Sequence, residues 1–493
     1  MKLLVPTVLT LLISSVIFLG CRKDNFTTDP SVKLRFSADT VLFDTVFTTI
    51  GSTTAALKVY NDFDQKVNIT SIQLQSGSGS FYRINVDGVN GASHSDIEIG
   101  GGDSLWIFVE VTLDPNGLNQ PFIIEDNIHF VTNGNEQVVN LAAWGRDAHF
   151  HGSLNNLDVL PCDEVWSNDK PHVIYGIVAV DSACCLTINP GTEVFCHAGG
   201  GILVYKSKII VDGELGSEVV FQGDRLEPYY QDLAGQWGIE LTFAFETGFG
   251  VEYATVTRGG LWLYESTGSS IDYAIIKNGI IGIQVDTAHT ATDALAITNT
   301  KVLNMSAIGL LSQGGSISGH NNLIANCGQA CGAFTLGGRY DISQTSFVNY
   351  WTQSNRQSPT FILNNYYEST AGDLIVRPFE SATFRNCIMH GNNAQLSDFS
   401  EFIIDLEDEE NAIYEFSSCY VDSDLNFNDD AHYSNMKKGA NGPPFLDPFN
   451  GDFDWPVSIS NLFTGPLVGG ISTDIEGVNR FGSTGLGCYE FGE

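Results

Sequence analysis

The sequence predicts an all-β protein in two parts, a β-sandwich followed by a solenoid of parallel strands, and three observations support this fold class. Glycine is frequent, at 51 of 493 residues, and charged residues make up 16% of the chain, against roughly 25% in an average globular protein. Short alternating runs separated by turn residues fill the N-terminal third. Beyond Lys170 apolar runs recur at intervals of about 22 residues, which is typical of a solenoid and not of hairpins.

The chain is strongly acidic, because 58 acidic residues stand against 23 basic ones and the formal net charge is −35. Such a surface repels phosphate backbones and anionic lipid headgroups, so nucleic acid is excluded as a partner. The acidic residues could attract divalent cations, but solubility of an exported β-protein explains them better.

The N-terminus predicts a lipoprotein signal peptide over residues 1–20. Lys2 precedes an apolar run that is short for a membrane-spanning helix. The ending "IFLGC" resembles a bacterial lipobox, which implies lipidation of Cys21 and a lipidated tether over residues 21–31. Charged residues directly after the cysteine resemble the export signal of surface-exposed lipoproteins in Gram-negative bacteria. We therefore expect an outer-membrane lipoprotein that contacts the membrane through its acyl chains.

Residues 32–148 predict an immunoglobulin-like β-sandwich. Runs such as "SLWIFVEVTL" and "EQVVNLAAWG" are strand-like, and "GSGS" and "DPNG" between them are turn chemistry. Strands at this rhythm over about a hundred residues are typical of such a sandwich. We expect it to be a spacer, followed by a linker over residues 149–171. His149 and His151 in that linker are interpreted as surface residues, since no carboxylate partner accompanies them.

The pattern over residues 172–425 predicts the parallel β-helix. Residues 426–493 are predicted to form a C-terminal cap that closes its last coil. Its repeat unit is an apolar run that ends in a polar residue, most often asparagine. Asn-Gly at 278–279 could mark a hairpin, but the regular spacing favours a corner of a forward-running coil. Asparagine tolerates left-handed backbone geometry at such corners. We expect four corner asparagines to form an internal amide ladder with a structural role: Asn278, Asn304, Asn326 and Asn349.

Three segments carry a resemblance to a known superfamily. "LTINPGTEVF" and "GQWGIEL" resemble coils of the right-handed parallel β-helices of the pectate-lyase-like superfamily, and "DIEGVNRFGSTGLGCYEF" is similar to a C-terminal motif of surface β-helix proteins. The order of lipobox, sandwich and β-helix is similar to that of a family of uncharacterised bacterial surface lipoproteins. This resemblance implies a right-handed coil and implies almost no chemistry, because the superfold hosts both enzymes and non-enzymes.

The catalytic motifs of that superfamily are broken in this chain. "NTK" at 299–301 has Lys301 where hydrolases place an acid, and "GHN" at 319–321 has Asn321 after His320. A lyase needs a base beside calcium-binding acids on neighbouring rungs, and the central bases lack such acids. Those bases are Arg258, Lys277, Lys301 and Arg385. The sequence therefore favours a non-catalytic module, and a polysaccharide lyase or glycoside hydrolase with a non-standard site is the alternative.

The segment "GDRLEPYYQDLAGQW" (223–237) is an excursion between coils and the best candidate for ligand binding. Its aromatic rings could stack on sugars while its carboxylates bind hydroxyl groups, as long loops on a rigid scaffold often do. The competing interpretation is a lid whose aromatics cover the coil. The candidate ligand-binding residues are Asp224, Glu227, Tyr229, Tyr230, Asp232 and Trp237.

The segment "DSDLNFNDD" (422–430) places oxygen-bearing side chains at alternate positions, as a calcium loop does. Phe427 stands where an EF-hand requires glycine, so only a generic calcium site is predicted, and calcium is the one cofactor that a motif suggests. A solvated acidic run explains the same residues. The candidate ligands are Asp422, Asp424, Asn426, Asn428 and Asp430.

Nine cysteines follow Cys21 and show no zinc-site spacing. Cys387 and Cys419 occupy equivalent positions on successive rungs, where either a disulfide or a stacked pair of free thiols would fit. The sequence thus predicts a lipid-anchored surface protein whose β-helix binds polysaccharide or a partner protein. A structural component of a surface assembly is a further possibility.

Overall fold

The computed structural model describes most of the chain beyond its N-terminus. It describes residues 25–47, 52, 54–113, 122–153, 157–247, 250–287, 292–369, 372–392, 400–407, 412–429, 431–438, 442–456 and 458–491. The predicted signal peptide and Cys21 lie outside this range. The described residues are all-β, with short 3-10 turns only, and no helix among them is long and apolar enough to cross a membrane. The chain divides into two compact units, at residues 1–147 and 148–493.

The first unit contains ten strands in two five-stranded sheets. The strands are β1 (Arg35–Phe36), β2 (Thr40–Phe47), β3 (Ala55–Tyr60), β4 (Val67–Leu74), β5 (Tyr82–Val86), β6 (Val89–Gly91), β7 (Ser93–Ile99), β8 (Ser104–Val111), β9 (Phe122–Thr132) and β10 (Asn135–Arg146). One sheet has the order β1-β3-β8-β5-β6 and the other β2-β10-β9-β4-β7. Alternate residues of both sheets, such as Val59, Ile107 and Phe130, are fully buried in one shared core.

The second unit is a stack of coils, each of which adds one strand to each of three sheets. The first coils contain β11 (His149–His151), β12 (Leu157–Val159), β13 (Glu164–Trp166), β14 (His172–Ile174), β15 (Ile177–Val180), β16 (Cys185–Ile188), β17 (Glu193–Cys196), β18 (Gly201–Tyr205), β19 (Lys208–Asp212) and β20 (Val219–Gly223). A hairpin of β21 (Glu240–Thr247) and β22 (Gly250–Thr257) follows.

The middle coils contain β23 (Leu261–Tyr264), β24 (Ser269–Asp272), β25 (Ala274–Lys277), β26 (Ile281–Asp286), β27 (Leu295–Thr298), β28 (Lys301–Leu303), β29 (Ile308–Gln313), β30 (Ser316–His320), β31 (Leu323–Ala325), β32 (Gly332–Thr335), β33 (Gly338–Ser343), β34 (Ser346–Asn349) and β35 (Phe361–Asn364). The last part contains a second hairpin, β36 (Tyr366–Glu368) and β37 (Leu374–Val376), then β38 (Phe379–Arg385), β39 (Ile388–Gly391), β40 (Phe402–Asp405), β41 (Tyr414–Ser417), β42 (Tyr420–Val421), β43 (Tyr433–Ser434), β44 (Thr464–Pro466) and β45 (Ser483–Gly485).

The three sheets are parallel throughout, which is consistent with the predicted β-helix. Sheet A has the order β11-β14-β17-β20-β25-β28-β31-β34-β39-β42, sheet B the order β12-β15-β18-β23-β26-β29-β32-β35-β40, and sheet C the order β13-β16-β19-β24-β27-β30-β33-β38-β41-β43. Inward residues of successive rungs stack in register, for example Ile276, Val302 and Ile324 on sheet A. Because β25 pairs in parallel with β28, Asn278-Gly279 is a corner of a forward-running coil.

The stretch 149–171 differs from its prediction as a linker. It supplies β11, β12 and β13, the first strand of each sheet, and Trp166 is fully buried in the core of the coil. The strands are only three residues long and precede the recurring asparagine corners, so the sequence period could not include them. A disulfide between Cys162 and Cys184 joins this coil to the next.

The predicted cap divides into two parts with different positions. Phe427, Tyr433 and Met436 pack against the last rungs of the core, as a cap does. Apolar residues from 442–456 and 458–491 instead form a separate cluster with outward side chains of sheet A. Outward residues on β31, β34 and β39 include the apolar Leu323, Ala325, Val348 and Ile388, which this segment covers. The side-packed residues include Phe445, Phe453, Trp455, Phe463, Ile475 and Leu486.

Candidate functional site

The corner asparagines of sheet A form only part of the expected ladder. Asn278, Asn304 and Asn326 have left-handed backbone φ angles of 65°, 57° and 56°. The Asn304 side-chain nitrogen donates to the Asn278 side-chain oxygen at 2.7 Å. Asn326 instead accepts from the backbone N–H of Tyr350 at 3.0 Å. Asn349 belongs to β34 and donates to the carbonyl of Cys327 at 2.8 Å, so the direct amide contact joins the first two members.

These corner amides hold the excursion at 223–237 against the coil. The Asn278 side chain donates to the carbonyl of Gln231 at 2.7 Å, and that of Asn304 donates to the carbonyl of Asp232 at 2.9 Å. Gln353, from the loop after β34, donates both to the same Asp232 carbonyl at 2.9 Å and to the Asn304 side-chain oxygen at 2.8 Å. The excursion is therefore fastened along its C-terminal half by three side-chain amides.

Trp237 does not have the predicted role of a sugar-stacking residue, because its side chain is fully buried. The indole nitrogen donates to the carbonyl of Lys277 at 2.8 Å. The ring packs so closely on Gly260 that a Cβ at that position would lie 2.2 Å from it. The aromatic ring thus closes the coil beneath the excursion, which agrees with the competing interpretation of a lid whose aromatics cover the coil.

Three other predicted residues are engaged within the excursion or with the coil beside it. Asp224 accepts from Nδ1 of His197 at 2.6 Å, and this contact raises the pKa of His197. Glu227 pairs with Arg225 at 3.1 Å, and the Arg225 guanidinium lies 3.9 Å from the centre of the Tyr230 ring. Of the six candidates, Tyr229 is 76% exposed, and Asp232 is exposed at the edge of the cleft described next.

The excursion forms one wall of a cleft of about 420 Å³ on the outer side of sheet A. The corner asparagines form its floor. The opposite wall consists of the loop after β34 and a turn of the side-packed C-terminal segment. Its lining includes Asp232, Lys277, Asn278, Asn304, Asn326, Tyr350, Trp351, Gln353, Phe449 and Phe453.

Aromatic rings of the far wall are placed to contact a ligand. Phe449 is 60% exposed and packs edge-on against Tyr350, with ring centres 5.3 Å apart. Trp351 is half-buried, and its indole nitrogen donates to the Ser354 hydroxyl at 2.9 Å, which fixes the orientation of the ring. A rigid half-buried indole beside an exposed phenyl ring presents apolar surface at low entropic cost.

The polar groups of the cleft complement these rings. The Lys277 ammonium group has no ion-pair or hydrogen-bond partner among the described residues, although the protein has a large excess of acidic groups. The Asn326 side-chain nitrogen likewise has no partner among them. Aromatic rings, one cation and an amide suit a ligand that combines apolar ring faces with hydroxyl and carboxylate groups.

A buried carboxyl group lies on the outer face of sheet B. Asp286 accepts from the indole nitrogen of Trp262 and from the side-chain nitrogen of Gln284, both at 2.8 Å. Burial raises its pKa, which these bonds and the charge of Arg258 only partly offset. Tyr264 occupies the neighbouring rung in register with Asp286. Sequence reasoning missed this carboxyl because "GIQVD" reads as a plain strand.

The predicted calcium ligands are only partly described. Asp430 lies outside the described residues. Burial, Glu401 and Asp424 together raise the pKa of Asp422. The described residues contain no group of three or more His, Cys, Asp or Glu side chains arranged to hold a metal ion. Calcium therefore stays a prediction.

The sequence also contains a second row of corners, between sheets C and A, which was overlooked. Asn299, Asn321, Gln344 and Asn386 all have positive φ angles. The Asn321 side chain donates to that of Asn299 at 3.1 Å. Each of these residues stands three positions before a buried residue of sheet A. That recurring offset was the signal that could have revealed them.

Comparisons with known proteins identify no family for this chain. No family model matches it, and no curated protein matches it. Among solved structures, the catalytic unit of a GH87 alpha-1,3-glucanase from Streptomyces thermodiastaticus strain HF3-3 is similar over 81% of this chain and 77% of its own, with 8% identity and a TM-score of 0.25.

Two further structures are similar to smaller parts of the chain. A protein of unknown function from Porphyromonas gingivalis W83 matches with 14% identity and a TM-score of 0.18, over 26% of this chain and 50% of its own, so the match spans about half of that protein. The PapD-like domain 7 of human CEP192 matches with 9% identity and a TM-score of 0.17, over 24% of this chain and 89% of its own. TM-scores this low carry no argument about function.

Proposed function

We propose that this protein is a lipid-anchored surface protein of a Gram-negative outer membrane whose right-handed β-helix binds acidic polysaccharide without cleaving it. The observation that carries the proposal is the cleft on sheet A, where Trp351 and Phe449 face Lys277 and Asn326 across about 420 Å³. Cys21 is the lipidation site in this proposal. The first unit, as an immunoglobulin-like sandwich over residues 32–148, is the spacer that carries the β-helix away from the membrane.

The choice of an acidic polysaccharide follows from the chemistry of the cleft. A sugar ring offers an apolar face that can stack on Trp351 or Phe449, and its hydroxyl groups can pair with Asn326 and Asp232. A carboxylate on the sugar would pair with the Lys277 ammonium group. Lys277 supplies a local attraction for such a carboxylate, which acts against the long-range repulsion between a polyanion and a protein of net charge −35.

The proposal is tested by measuring retention of the soluble chain from Arg22 onward on immobilised polygalacturonate. We expect Trp351→Ala and Lys277→Gln to weaken binding about tenfold each, which corresponds to about 1.4 kcal/mol. Tyr253→Ala is the matched control, because this exposed tyrosine of β22 lies outside the cleft. Retention that none of the cleft variants changes, at unaltered melting temperature, would exclude the cleft as the site.

A glycan-cleaving enzyme is the second candidate function, and Asp286 is the observation that favours it. A buried carboxyl group with a raised pKa beside aromatic side chains is the environment of a general acid. We would follow polysaccharide size by chromatography after incubation with the wild-type chain and with Asp286→Asn. New oligosaccharides from the wild type alone would establish cleavage, and unchanged polymers would favour the binding module. Recovery only in a stable protein complex would instead favour a structural role.

A further inference from the structure

A groove on the outer side of sheet C is separate from the cleft on sheet A. Its volume is about 370 Å³, its floor consists of β27, β30, β33 and β38, and one wall is the segment 468–471. None of its lining residues lines the cleft. Its polar lining consists of Thr298, Ser318, His320, Asp341, Ser343 and Arg385.

Four of these side chains form a row across successive rungs. Thr298 pairs in register with His320, His320 with Ser343, and Ser343 with Arg385. Neighbouring rungs of a parallel sheet lie about 4.8 Å apart. The row therefore presents a hydrogen-bonding side chain at every rung, along the direction in which the coils stack.

The row offers both donors and acceptors. One Arg385 nitrogen donates to the Asp341 carboxylate at 2.6 Å, and the other N–H groups of its guanidinium have no partner among the described residues. The Thr298 hydroxyl donates to Asp272 at 2.7 Å, so its oxygen remains an acceptor. The His320 ring, half-buried at the floor, also has no hydrogen-bond partner among the described residues.

Burial and the nearby Arg480 lower the pKa of His320, although Asp272 acts in the opposite direction. The imidazole is therefore neutral at pH 7, with one nitrogen that donates and one that accepts. A hydroxyl group also donates and accepts at once, so it is the natural partner for such a ring. The Asp341 carboxylate would repel a ligand that carried only anionic groups.

We propose that this groove is a second saccharide-binding site, so that one chain holds two polysaccharide strands on two faces of its β-helix. The row of side chains suits a linear chain of hydroxyl-bearing rings, and the open edge of the Arg385 guanidinium suits a carboxylate on one of them. This inference rests on the proposed function of the cleft. Its consequence is cross-linking, because a long strand bound at each face joins two polymers through one protein molecule.

The number of sites is measured by isothermal titration of the soluble chain with a hexamer of galacturonic acid. We expect about two hexamers per wild-type chain. In Arg385→Ala, His320→Ala and Trp351→Ala we expect one of the two sites to be weakened about tenfold or more, so that about one hexamer is bound at concentrations that just saturate the intact site. Ser270→Ala is the control, because Ser270 lies on sheet C outside the groove. Melting temperatures establish that each variant is folded, and the two groove variants provide independent readings of the same site.

Cross-linking is measured by light scattering of long polygalacturonate mixed with the protein. The wild type should raise the scattering severalfold and then lower it at excess protein, whereas Arg385→Ala should bind the polymer without raising the scattering. One hexamer per wild-type chain, with binding lost in Trp351→Ala and unchanged in Arg385→Ala, would overturn the second site and leave the cleft intact. Binding lost in Arg385→Ala and unchanged in Trp351→Ala would overturn the cleft instead. No binding at all would overturn both.

Discussion

The side-chain nitrogen of Asn304 donates to the side-chain oxygen of Asn278 at 2.7 Å, across two successive rungs of sheet A. The same two amides also hold the backbone of the excursion at Gln231 and Asp232. A repeat that looks purely structural in the sequence therefore positions one wall of the candidate binding cleft. Stability of the coil and shape of the site depend on the same side chains.

Replacing Asn304 should separate these two roles. Asn304→Gly keeps the left-handed backbone accessible but removes three amide hydrogen bonds, and we expect it to lower the free energy of unfolding by about 1–3 kcal/mol. Asn304→Ala should lower it further, by about 1 kcal/mol, because its φ of 57° disfavours a Cβ. Urea unfolding measures both values, with Asn85→Ala, at a half-buried asparagine of the first unit, as control. Equal stability of the wild type and the glycine variant would contradict the role of the amide.

The ion pair between Arg356 and Glu401 should be more sensitive to substitution than an exposed ion pair of the second unit. Two guanidinium nitrogens donate to the carboxylate at 2.7 and 2.5 Å, and both side chains are only 3% exposed. Removing one partner leaves a buried charge, so Arg356→Met should cost about 3–5 kcal/mol of unfolding free energy. Lys206→Met, in an exposed pair with Glu265, should cost less than about 1 kcal/mol. Urea unfolding measures both variants, and similar losses of unfolding free energy in the two would refute this ranking.

Buried histidines should make the fold sensitive to acid. Burial lowers the pKa of His390 from 6.5 to about 4, although Glu401 acts in the opposite direction. The unfolded chain therefore binds the proton first, and stability should decline as pH falls from about 6.5 to about 4.

For His390 alone, the unfolding free energy lost over this pH range is about 3 kcal/mol. Solvent screens this effect little, because the His390 side chain is almost fully buried. His390→Gln should flatten the decline between urea midpoints measured at pH 7 and pH 4.5. His129→Gln is the control, because the His129 side chain is 23% exposed. An identical pH dependence in wild type and His390→Gln would show that this histidine titrates normally.

The six buried free cysteines should be inert in the folded protein. Cys387 and Cys419 are fully buried free thiols that donate to the carbonyls of Arg385 and Ser417. Burial and the neighbouring Cys419 raise the pKa of Cys387 well above its usual range. A thiol reagent should label Cys185 alone in the native chain from Arg22 onward and seven thiols after unfolding without reductant. Five labelled thiols, with Cys387 and Cys419 as the two unlabelled positions, would show that the alternative of a disulfide between these rungs is the correct one.

The sequence predicted the parallel coil because one local requirement repeats along the chain. Each corner needs a residue that tolerates left-handed backbone geometry, and Asn278, Asn304 and Asn326 satisfy this requirement. It left two positions open for Trp237, because composition cannot distinguish an aromatic ring that closes a coil from one that faces solvent. The packing of apolar residues from 442–456 and 458–491 against sheet A was missed. That contact joins apolar residues far apart in sequence, and no periodicity records it.

The sequence predicted where the candidate site lies better than it predicted which residues line it. The excursion at 223–237 does form a wall of the cleft, and Asp232 lies at its edge. Lys277, Trp351 and Phe449 were not expected there, because they come from three segments that only the coil and the folded-back C-terminus bring together. Local sequence patterns therefore located the loop, and the tertiary packing determined its partners.

Binding of the soluble chain to polygalacturonate, compared between wild type and Trp351→Ala, tests the central claim most directly. We expect the wild type to be retained and eluted by salt, since Lys277 supplies a charge contact, and the variant to bind about tenfold more weakly. Tyr253→Ala should behave as the wild type does. A wild-type chain that passes unretained, or a Trp351 variant that binds equally well with an intact fold, would contradict the claim that this cleft binds acidic polysaccharide.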